Sequence, residues 1–403
     1  MTPHRVVITG LGAITPYGIG VKSLWNGLLS SKSALAFNKK LGIVCGQLSP
    51  EHDEKLNEFS KKYRNMNRTS LFGLIAAEEA MIDAGLLNQS HVETGTHIGV
   101  GFPDLEEIAS VSKQIEDGKE RKVSPYFIPK ILTNIPSSYI AMEHQLFGGN
   151  WSSAAACATG VMSIGDAYSN IKYGRVKKML GGAIDTAVNP MTKVGFQRLR
   201  ALSKIEDPEV ASKPFDSKRD GFLLSEGGGI VVLERLEDAL ERKATIYGEI
   251  LGFGFASDAF HLTSPREDGL GSLLCMQKCL DEAKVSASVV DYINAHATST
   301  PVGDKIEAQS IGSMFGKINV SSFKGHVGHC MAGAGAIETI GTVLAIKNGI
   351  LPGTLNFKET DFEHDLNILG NSIKWENERK VSIVNSFGFG GIYASLCLSS
   401  FIN

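Results

Sequence analysis

Residues 150–174, with the sequence NWSSAAACATGVMSIGDAYSNIKYG, are the stretch that decides the fold of this chain. The pattern predicts a short buried strand, a tight turn and a small-residue helix, with Cys157 where the turn becomes the helix. The N–H groups and the positive dipole end of a helix N-terminus favour a thiolate, which is the reactive form of cysteine. A buried structural cysteine is the alternative that this stretch alone leaves open.

A second stretch, residues 318–349 (INVSSFKGHVGHCMAGAGAIETIGTVLAIKNG), looks like a copy of the first. It also leads from a strand through Ser-Ser into a helix rich in Gly and Ala. When the two helices are laid together without gaps, four pairs are identical: Gly160/Gly335, Ile171/Ile346, Lys172/Lys347 and Gly174/Gly349. Cys157 lies at the entrance of one helix, and Lys324 and His329 lie at the entrance of the other. We therefore predict a duplicated fold in which two active loops face one another.

The composition is that of a globular protein with a substantial core. The chain has 403 residues, of which 43% are hydrophobic and 21% charged. There is no apolar run of about 18 residues, so we expect no membrane span. The net charge of −3 argues against nucleic-acid binding. The six cysteines follow neither a disulfide nor a zinc spacing, which favours a reducing compartment.

Strands that alternate with helices predict an α/β protein, with an N-terminal half at residues 1–245 and a C-terminal half at 246–403. The first strand, Arg5–Thr9, begins so early that we expect a cytoplasmic protein, or the mature form of an organelle protein. Glycines predict a loop over Gly10–Gly20. The polar stretch Phe102–Lys122 is expected to be irregular, as a lid or an interface loop.

Two further motifs carry groups that could take part in catalysis. His296 follows a predicted strand within residues 294–304 (NAHATSTPVGD), and functional groups of α/β proteins lie at such strand ends. The glycine-rich stretch 385–391 (NSFGFGG) could offer backbone N–H groups to an oxyanion.

Taken together, these motifs resemble the elongating β-ketoacyl–acyl-carrier-protein synthases over nearly the whole chain. The pieces that carry the resemblance are AACATG, NAHATSTPVGDKIEA, KGHVGHCMAGAGAIE and NSFGFGG. The resemblance implies the thiolase fold, in which two βαβαβαββ halves form a five-layered αβαβα sandwich. It also implies a homodimer, or a heterodimer with a homologue, and an acyl carrier protein as partner.

The resemblance implies that Cys157 accepts an acyl chain from a carrier protein and that malonyl carrier protein then condenses with it. His296 and His329 would donate hydrogen bonds to the enolate oxygen. Lys324, supported by Glu338, would tune the charge of the site. The backbone N–H groups of Cys157 and Phe389 would form the oxyanion hole, and the Phe389 side chain would gate the pocket.

The resemblance also implies several supporting residues. Thr298 and Thr300 would bind the pantetheine amides. No cofactor is required, but a structural Na⁺ or K⁺ could lie among Asn294, Ala295, Glu338 and Asn385. Turn capping is the alternative for the two asparagines. A basic surface for an acidic carrier protein would include Lys61, Arg64, Arg68, Arg121, Lys122, Arg198 and Arg200, although each could simply be a solvated charge.

The sequence departs from its family after the glycine-rich loop, where Ile392 and Tyr393 replace the usual Thr-Asn pair. We therefore expect the gate to be held by packing. Two other functions stay open at this stage. Cys330, directly after His329, raises the question of a thiolase acting on coenzyme A thioesters, and a silent partner resembling a chain-length factor is the non-catalytic alternative.

Overall fold

The computed structural model describes residues 3–63, 66–87 and 91–402. Its strands, β1 to β16, are Val6–Thr15, Gly18–Ile19, Ala36–Asn38, Ile43–Cys45, Thr94–Gly99, Asn150–Trp151, Lys178–Asp185, Gly227–Arg235, Gly248–Ser257, Tyr292–Asn294, Asn319–Ser321, Ile350–Leu351, Asn367–Ile368, Ile373–Lys374, Val381–Gly388 and Ile392–Ser399. Its helices, α1 to α13, are Val21–Leu28, Asp53–Lys62, Arg68–Asp83, Leu105–Glu116, Phe127–Ile131, Ile135–Glu143, Thr159–Lys172, Pro190–Arg198, Leu236–Glu241, Leu270–Ala283, Pro301–Phe315, Lys324–Val327 and Ala334–Asn348.

The strand order shows the duplication directly. The first half is ordered β1-β8-β7-β5-β6, and the second is ordered β9-β16-β15-β10-β11. The two-residue strands β2, which pairs with β1, and β13, which pairs with β11, lie outside these orders; numbered along the chain, the five strands of each order both read 1-5-4-2-3. The directions also agree, because the first two pairings in each order are antiparallel and the last two are parallel. The predicted duplication is therefore confirmed by topology, and β1 joins the halves by pairing with β9.

Two helices form the layer between the halves. α7 and α13 contact each other, and each contacts strands of both halves. α3 covers the outer side of β1 and β8, while α10 covers the outer side of β9 and β16. The order is therefore helix, sheet, helix, sheet, helix, which is the predicted αβαβα sandwich.

The two central helices, α7 and α13, cross at Gly160 and Gly335, which are equivalent when the two stretches are aligned. A side chain at Gly160 would lie 2.5 Å from the Ala336 nitrogen, and one at Gly335 would lie 2.9 Å from the Val161 nitrogen. Small residues here let the backbones touch. Residues 334–346 of α13 are buried throughout, which explains why this helix is apolar on every face. The crossing brings the N-terminal entrances of both helices, and hence both active loops, together.

The predicted loop at Gly10–Gly20 is wrong, because β1 continues to Thr15. Its glycines serve close packing rather than a turn. Side chains at Gly10 and Gly12 would overlap backbone carbonyls of α3, at Ala80 and Ala76. Glycine in a strand interior can mark such a close approach of another backbone.

The irregular segment predicted at Phe102–Lys122 is also wrong, because it contains the helix α4. Asp104 caps this helix, since its carboxylate accepts a hydrogen bond from the Glu107 N–H at 3.0 Å. Leu105, Ile108 and Val111 recur at helical spacing between the charges. The many charged residues of this segment lie on a helix rather than in a loop.

The strand before Cys157 differs from the prediction as well. β6 has only two residues, Asn150 and Trp151, and both are exposed. Within the described residues, this strand pairs with β5 alone and so forms an edge of the sheet. The predicted boundary between residues 245 and 246 falls between α9 and β9. No helix in the described ranges is long and apolar enough to cross a membrane.

Candidate active site

The nucleophile candidate lies in a constrained turn just before α7. Ala156 has a φ of +48°, a conformation that non-glycine residues seldom adopt, and it turns the chain so that Cys157 meets the helix entrance. The Ser386 hydroxyl donates a hydrogen bond to the Cys157 carbonyl at 2.8 Å. A side chain at Gly388 would lie 2.6 Å from the Ala155 carbonyl, so β15 packs closely against this turn. The C-terminal half therefore holds Cys157 of the N-terminal half in place through Ser386 and Gly388 of β15.

Both predicted histidines line the same cavity as Cys157. His329 Nε2 is 3.0 Å from Cys157 Sγ, which is hydrogen-bond distance for a thiol and an imidazole. The His296 ring lies 5.5 Å from the His329 ring, edge to face at 81°. His296 follows β10 and His329 precedes α13, so residues far apart in the sequence meet at one point. This is the arrangement of a nucleophile with an adjacent proton acceptor.

One cavity of about 390 Å³ opens onto these three side chains. Thr298 and Thr300 line it, as does the predicted gate residue Phe389, which is 37% exposed. Arg200 also lines the cavity and is itself exposed. Cys157 is thus reached from the surface through a passage whose wall includes Thr298 and Thr300.

A group of packed aromatic side chains adjoins Cys157 and the His329 ring. Phe196 packs edge to face against Phe102 at 6.3 Å and against Phe222 at 5.2 Å. Phe222 in turn packs against the His329 ring at 5.3 Å. Phe102 therefore packs against the cavity-lining Phe196 without lining the cavity itself, although it begins the segment that we expected to be a lid or an interface loop.

A buried ion pair lies behind the histidines. Lys324 and Glu338 are only 1% and 2% exposed, and the ammonium contacts the Glu338 carboxylate directly. Burial, reinforced by the positive charge of Lys324, holds the pKa values of His296 and His329 well below the usual range. Both imidazoles are therefore neutral at physiological pH.

The expectation of a thiolate at Cys157 is wrong for the resting site. Burial raises the pKa of the Cys157 thiol to about 12, and this outweighs the lowering effect of the Lys324 charge. The neighbouring His329 is neutral and adds no positive charge. The structure therefore holds a neutral thiol–imidazole pair, in which His329 Nε2 lies within reach of the thiol proton.

This pair predicts a steep pH dependence for alkylation of Cys157 by iodoacetamide. Because the thiolate is the reactive form and the thiol pKa is high, the rate should rise about tenfold per pH unit between pH 6 and 10, without a plateau. Peptide mass spectrometry would follow the Cys157 adduct specifically. A plateau near neutral pH would show a stable thiolate and contradict the neutral pair.

Two carboxylates that we did not predict from the sequence shape the His296 loop. Glu307 accepts hydrogen bonds from the His296 and Ala297 N–H groups at 2.8 and 2.7 Å. Asp304 accepts them from the Thr298 and Thr300 N–H groups at 2.9 and 3.1 Å. Both acids lie in the first two turns of α11, directly after the motif. Their position in PVGDKIEA, just inside a helix that follows a catalytic loop, was the signal that could have revealed them.

The remaining predicted residues separate into two groups. Asn294, Ala295 and Asn385 are buried beneath the site, together with Glu338. Among the described members of the predicted basic surface, Arg200 alone lines the cavity. Lys61, Arg121, Lys122 and Arg198 are exposed, and Arg64 lies outside the described residues. The structure gives Arg68 a structural role, because it pairs with the buried Glu226 at 2.6 Å.

Comparisons with known proteins agree with this geometry. The family models for the N-terminal and C-terminal domains of β-ketoacyl synthase match residues 4–239 and 247–358. A mitochondrial 3-oxoacyl-[acyl-carrier-protein] synthase of Arabidopsis thaliana is 38% identical, over 98% of this chain and 93% of the relative. The 3-oxoacyl-[acyl-carrier-protein] synthase 2 of Rhizobium meliloti is also 38% identical, over 98% of each chain.

A solved structure shows the same fold. It is described as a type II polyketide acyl-carrier protein in complex with its ketosynthase, and it matches with a TM-score of 0.90 at 29% identity, over 99% of this chain and 100% of that chain. The predicted thiolase fold class is therefore confirmed. Together, the two matched domains and the nearly full-length relatives show that the chain belongs to the β-ketoacyl synthase family.

Proposed function

We propose that this protein catalyses the decarboxylative Claisen condensation of a Cys157-bound acyl chain with malonyl carrier protein. The observation that carries the proposal is the meeting of Cys157, His296 and His329 at the end of one cavity, in a chain of this family. The product is a β-ketoacyl carrier protein, as in fatty-acid or polyketide chain elongation.

The first step is acyl transfer to Cys157. The sulfur attacks the thioester carbonyl of the acyl carrier protein, and the thiol proton passes through His329 to the departing pantetheine thiol. The close Sγ–Nε2 contact supports this route. Thr298 and Thr300, on the cavity wall, would hold the pantetheine amides.

The second step is condensation. Malonyl carrier protein loses CO₂, and N–H groups of His296 and His329 stabilise the enolate oxygen that forms. The carbanion attacks the acyl-Cys157 carbonyl, whose oxyanion would lie between the backbone N–H groups of Cys157 and Phe389. This attack forms the new C–C bond, and collapse of the adduct breaks the C–S bond and releases Cys157 as a thiolate, which takes up a proton to restore the thiol. Burial and the positive charge of Lys324 support the step by keeping both imidazoles neutral, and Glu338 holds the Lys324 ammonium in place.

The two alternatives receive less support from the site. A thiolase would need a second reactive cysteine, but Cys330 is fully buried, does not line the cavity, and its thiol faces the Glu226 carbonyl at 3.5 Å. A silent partner would not need a nucleophile, yet Cys157 has both a proton acceptor and a route to the surface.

The carrier-protein partner is supported by the known complex and by the cavity mouth, where Arg200 is exposed. Arg198, Lys61, Arg121 and Lys122 are the remaining described candidates for the basic surface. The two relatives come from a bacterium and a mitochondrion. They support either the cytoplasm or an organelle as the compartment.

A structural Na⁺ or K⁺ fits part of the predicted site. Asn294 Oδ1 and Glu338 Oε2 are buried oxygens without a hydrogen-bond donor among the described residues. The Asn385 side chain is already used, because its oxygen accepts from Ser395 at 2.7 Å and its nitrogen donates to Glu307 at 3.2 Å. Asn385 and Ala295 would therefore contribute only backbone carbonyls.

We further propose a homodimer that forms at the β6 edge. Exposed apolar side chains collect around this edge, and Phe147 and Met142 are 67% and 64% exposed. An unpaired edge strand beside an apolar patch suits a two-fold interface in which both copies use the same surface. The purified chain should therefore sediment at twice its mass of 43.3 kDa.

The Phe147→Arg variant should be a monomer, because a charge would be buried in the interface. Leu240→Arg is the matched control, since Leu240 is also exposed but lies on α9, which packs on β1 and β8. A wild-type monomer, or a dimer that persists in Phe147→Arg, would contradict this interface. A wild-type monomer would favour pairing with a homologue.

The proposed reaction is tested by mixing the protein with an acyl carrier protein and malonyl carrier protein. We expect one CO₂ for each β-ketoacyl carrier protein formed, measured by carbonate capture and intact mass. Acyl-coenzyme A substrates without malonyl groups serve as the thiolase test. Condensation of those substrates, with none from malonyl carrier protein, would overturn the proposal.

A further inference from the structure

The conformation of its own backbone is not sufficient to hold the turn that carries Phe389 in place. It joins β15 to β16, and two of its residues, Gly390 and Gly391, have φ values of +90° and +68°. Glycine adopts these conformations without strain but also leaves them easily. The position of Phe389 at the cavity mouth therefore depends on contacts with neighbouring segments.

Those contacts come from the segment that follows β9. The Gly390 N–H donates to the Leu262 carbonyl at 2.7 Å, and the Asp258 N–H donates to the Gly391 carbonyl at 3.2 Å. A side chain at Gly391 would overlap the Asp258 carboxylate, so the turn lies directly on this residue. The Phe389 turn and residues 258–262 are thus fastened together at two points.

Asp258 is the centre of this arrangement. It is only 4% exposed, and its two carboxylate oxygens have different partners. Oδ1 accepts a hydrogen bond from the Phe260 N–H at 3.2 Å, while Oδ2 accepts one from the Tyr393 hydroxyl at 2.8 Å. Because Tyr393 lies on β16, its phenol ties the second strand of the hairpin to the segment beneath the turn.

The Tyr393 ring also reaches toward the catalytic histidines. It packs against Phe387 with ring centres 4.8 Å apart, and Phe387 lies 5.7 Å from the His296 ring. A side chain at Gly271 of α10 would overlap the Tyr393 ring, so the ring fits here because residue 271 is a glycine. The expectation that packing alone holds the gate is therefore incomplete, because the phenol adds a charge-assisted hydrogen bond.

We infer that Tyr393 is a positioning residue that holds the Phe389 turn closed through Asp258 and so sets how readily the gate opens. The inference rests on the proposed function, in which Phe389 gates the cavity and its N–H completes the oxyanion hole. An open turn admits the acyl-pantetheine, whereas a closed turn is needed for condensation. Loosening the contact should therefore have opposite effects on the two steps.

Tyr393→Phe removes the hydroxyl and keeps the ring packing. Tyr168→Phe is the matched control, because Tyr168 is a buried tyrosine that donates to the Leu251 carbonyl at 3.0 Å, in α7 and outside the cavity lining. Amide hydrogen exchange should become about tenfold faster at Gly390 and Asp258 in Tyr393→Phe, and stay unchanged there in Tyr168→Phe. Asp258→Asn, which can still accept from the phenol, should give a smaller increase.

Kinetics supply a readout that a merely structural role would not change. In Tyr393→Phe, acylation of Cys157 should keep or exceed its wild-type rate, while condensation should fall several-fold. Equal amide exchange in wild type and Tyr393→Phe, or an equal loss of both steps, would overturn the inference. The exchange measurement needs no turnover, so a wild type without condensation activity would refute the proposed function while leaving the role of Tyr393 to be decided by exchange.

Discussion

Replacing Cys157 by alanine is expected to abolish condensation, with a loss of about 10⁴-fold or more, because no other group can carry the acyl chain. The fold should persist, since Cys157 already lies among alanines and the change removes a single sulfur atom. Decarboxylation of malonyl carrier protein should continue, because His296 and His329 remain in place. The rates of condensation and of CO₂ release, measured on the same preparation, separate the two roles.

Cys397→Ala is the matched control for this variant. Cys397 is also a fully buried free cysteine, but it lies on β16 and does not line the cavity. Its replacement should cost some stability without changing condensation by more than a small factor. Full condensation activity in Cys157→Ala would remove Cys157 from the mechanism.

The two histidines should differ in a way that the sequence alone did not predict. Replacing either one by alanine should slow condensation by about 10²–10³-fold, because one donor to the enolate oxygen is lost. Only His329 contacts Cys157 Sγ, so His329→Ala should also slow acylation, whereas His296→Ala should largely spare it. Stopped-flow measurement of acylation and steady-state measurement of condensation give the two rates for each variant.

His91→Ala controls for the loss of a buried imidazole. His91 is 4% exposed and bonds to the Leu86 carbonyl at 2.9 Å, outside the cavity lining. This variant should lose stability but keep the ratio of the two rates. If His296→Ala abolished acylation while His329→Ala left it intact, the roles assigned to the two residues would have to be exchanged.

The sequence predicted the duplicated architecture because the pattern that indicates it lies within two short stretches of the chain. Each central helix has its own small-residue pattern, and the equivalence of Gly160 and Gly335 is visible when the two stretches are aligned. β1 was cut short because Gly10 and Gly12 resemble turn residues. Their real function is to admit α3, which lies about 65 residues further along the chain and cannot be seen in a local window. Likewise, the charges of α4 obscured its apolar spacing.

In the active site too, local features were predictable from the sequence, whereas features that depend on distant residues were not. Residue types and spacing were sufficient to propose Cys157, His296 and His329 as its members. The protonation state of Cys157 was not predictable, because the helix dipole is a local feature, whereas burial depends on the whole surrounding structure. The hydrogen bond from Tyr393 to Asp258 likewise joins residues 135 positions apart, and only the folded chain brings them together.

The central claim, that Cys157 is an acyl-accepting nucleophile, is tested most directly by intact-mass analysis after mixing with acyl carrier protein alone. We predict that the wild-type chain gains the mass of one acyl group, that peptide mapping places the group on Cys157, and that hydroxylamine removes it as expected for a thioester. The Cys157→Ala variant should gain nothing. A folded wild-type chain that gains no acyl group from a cognate carrier protein, or that gains it on another residue, would contradict the account.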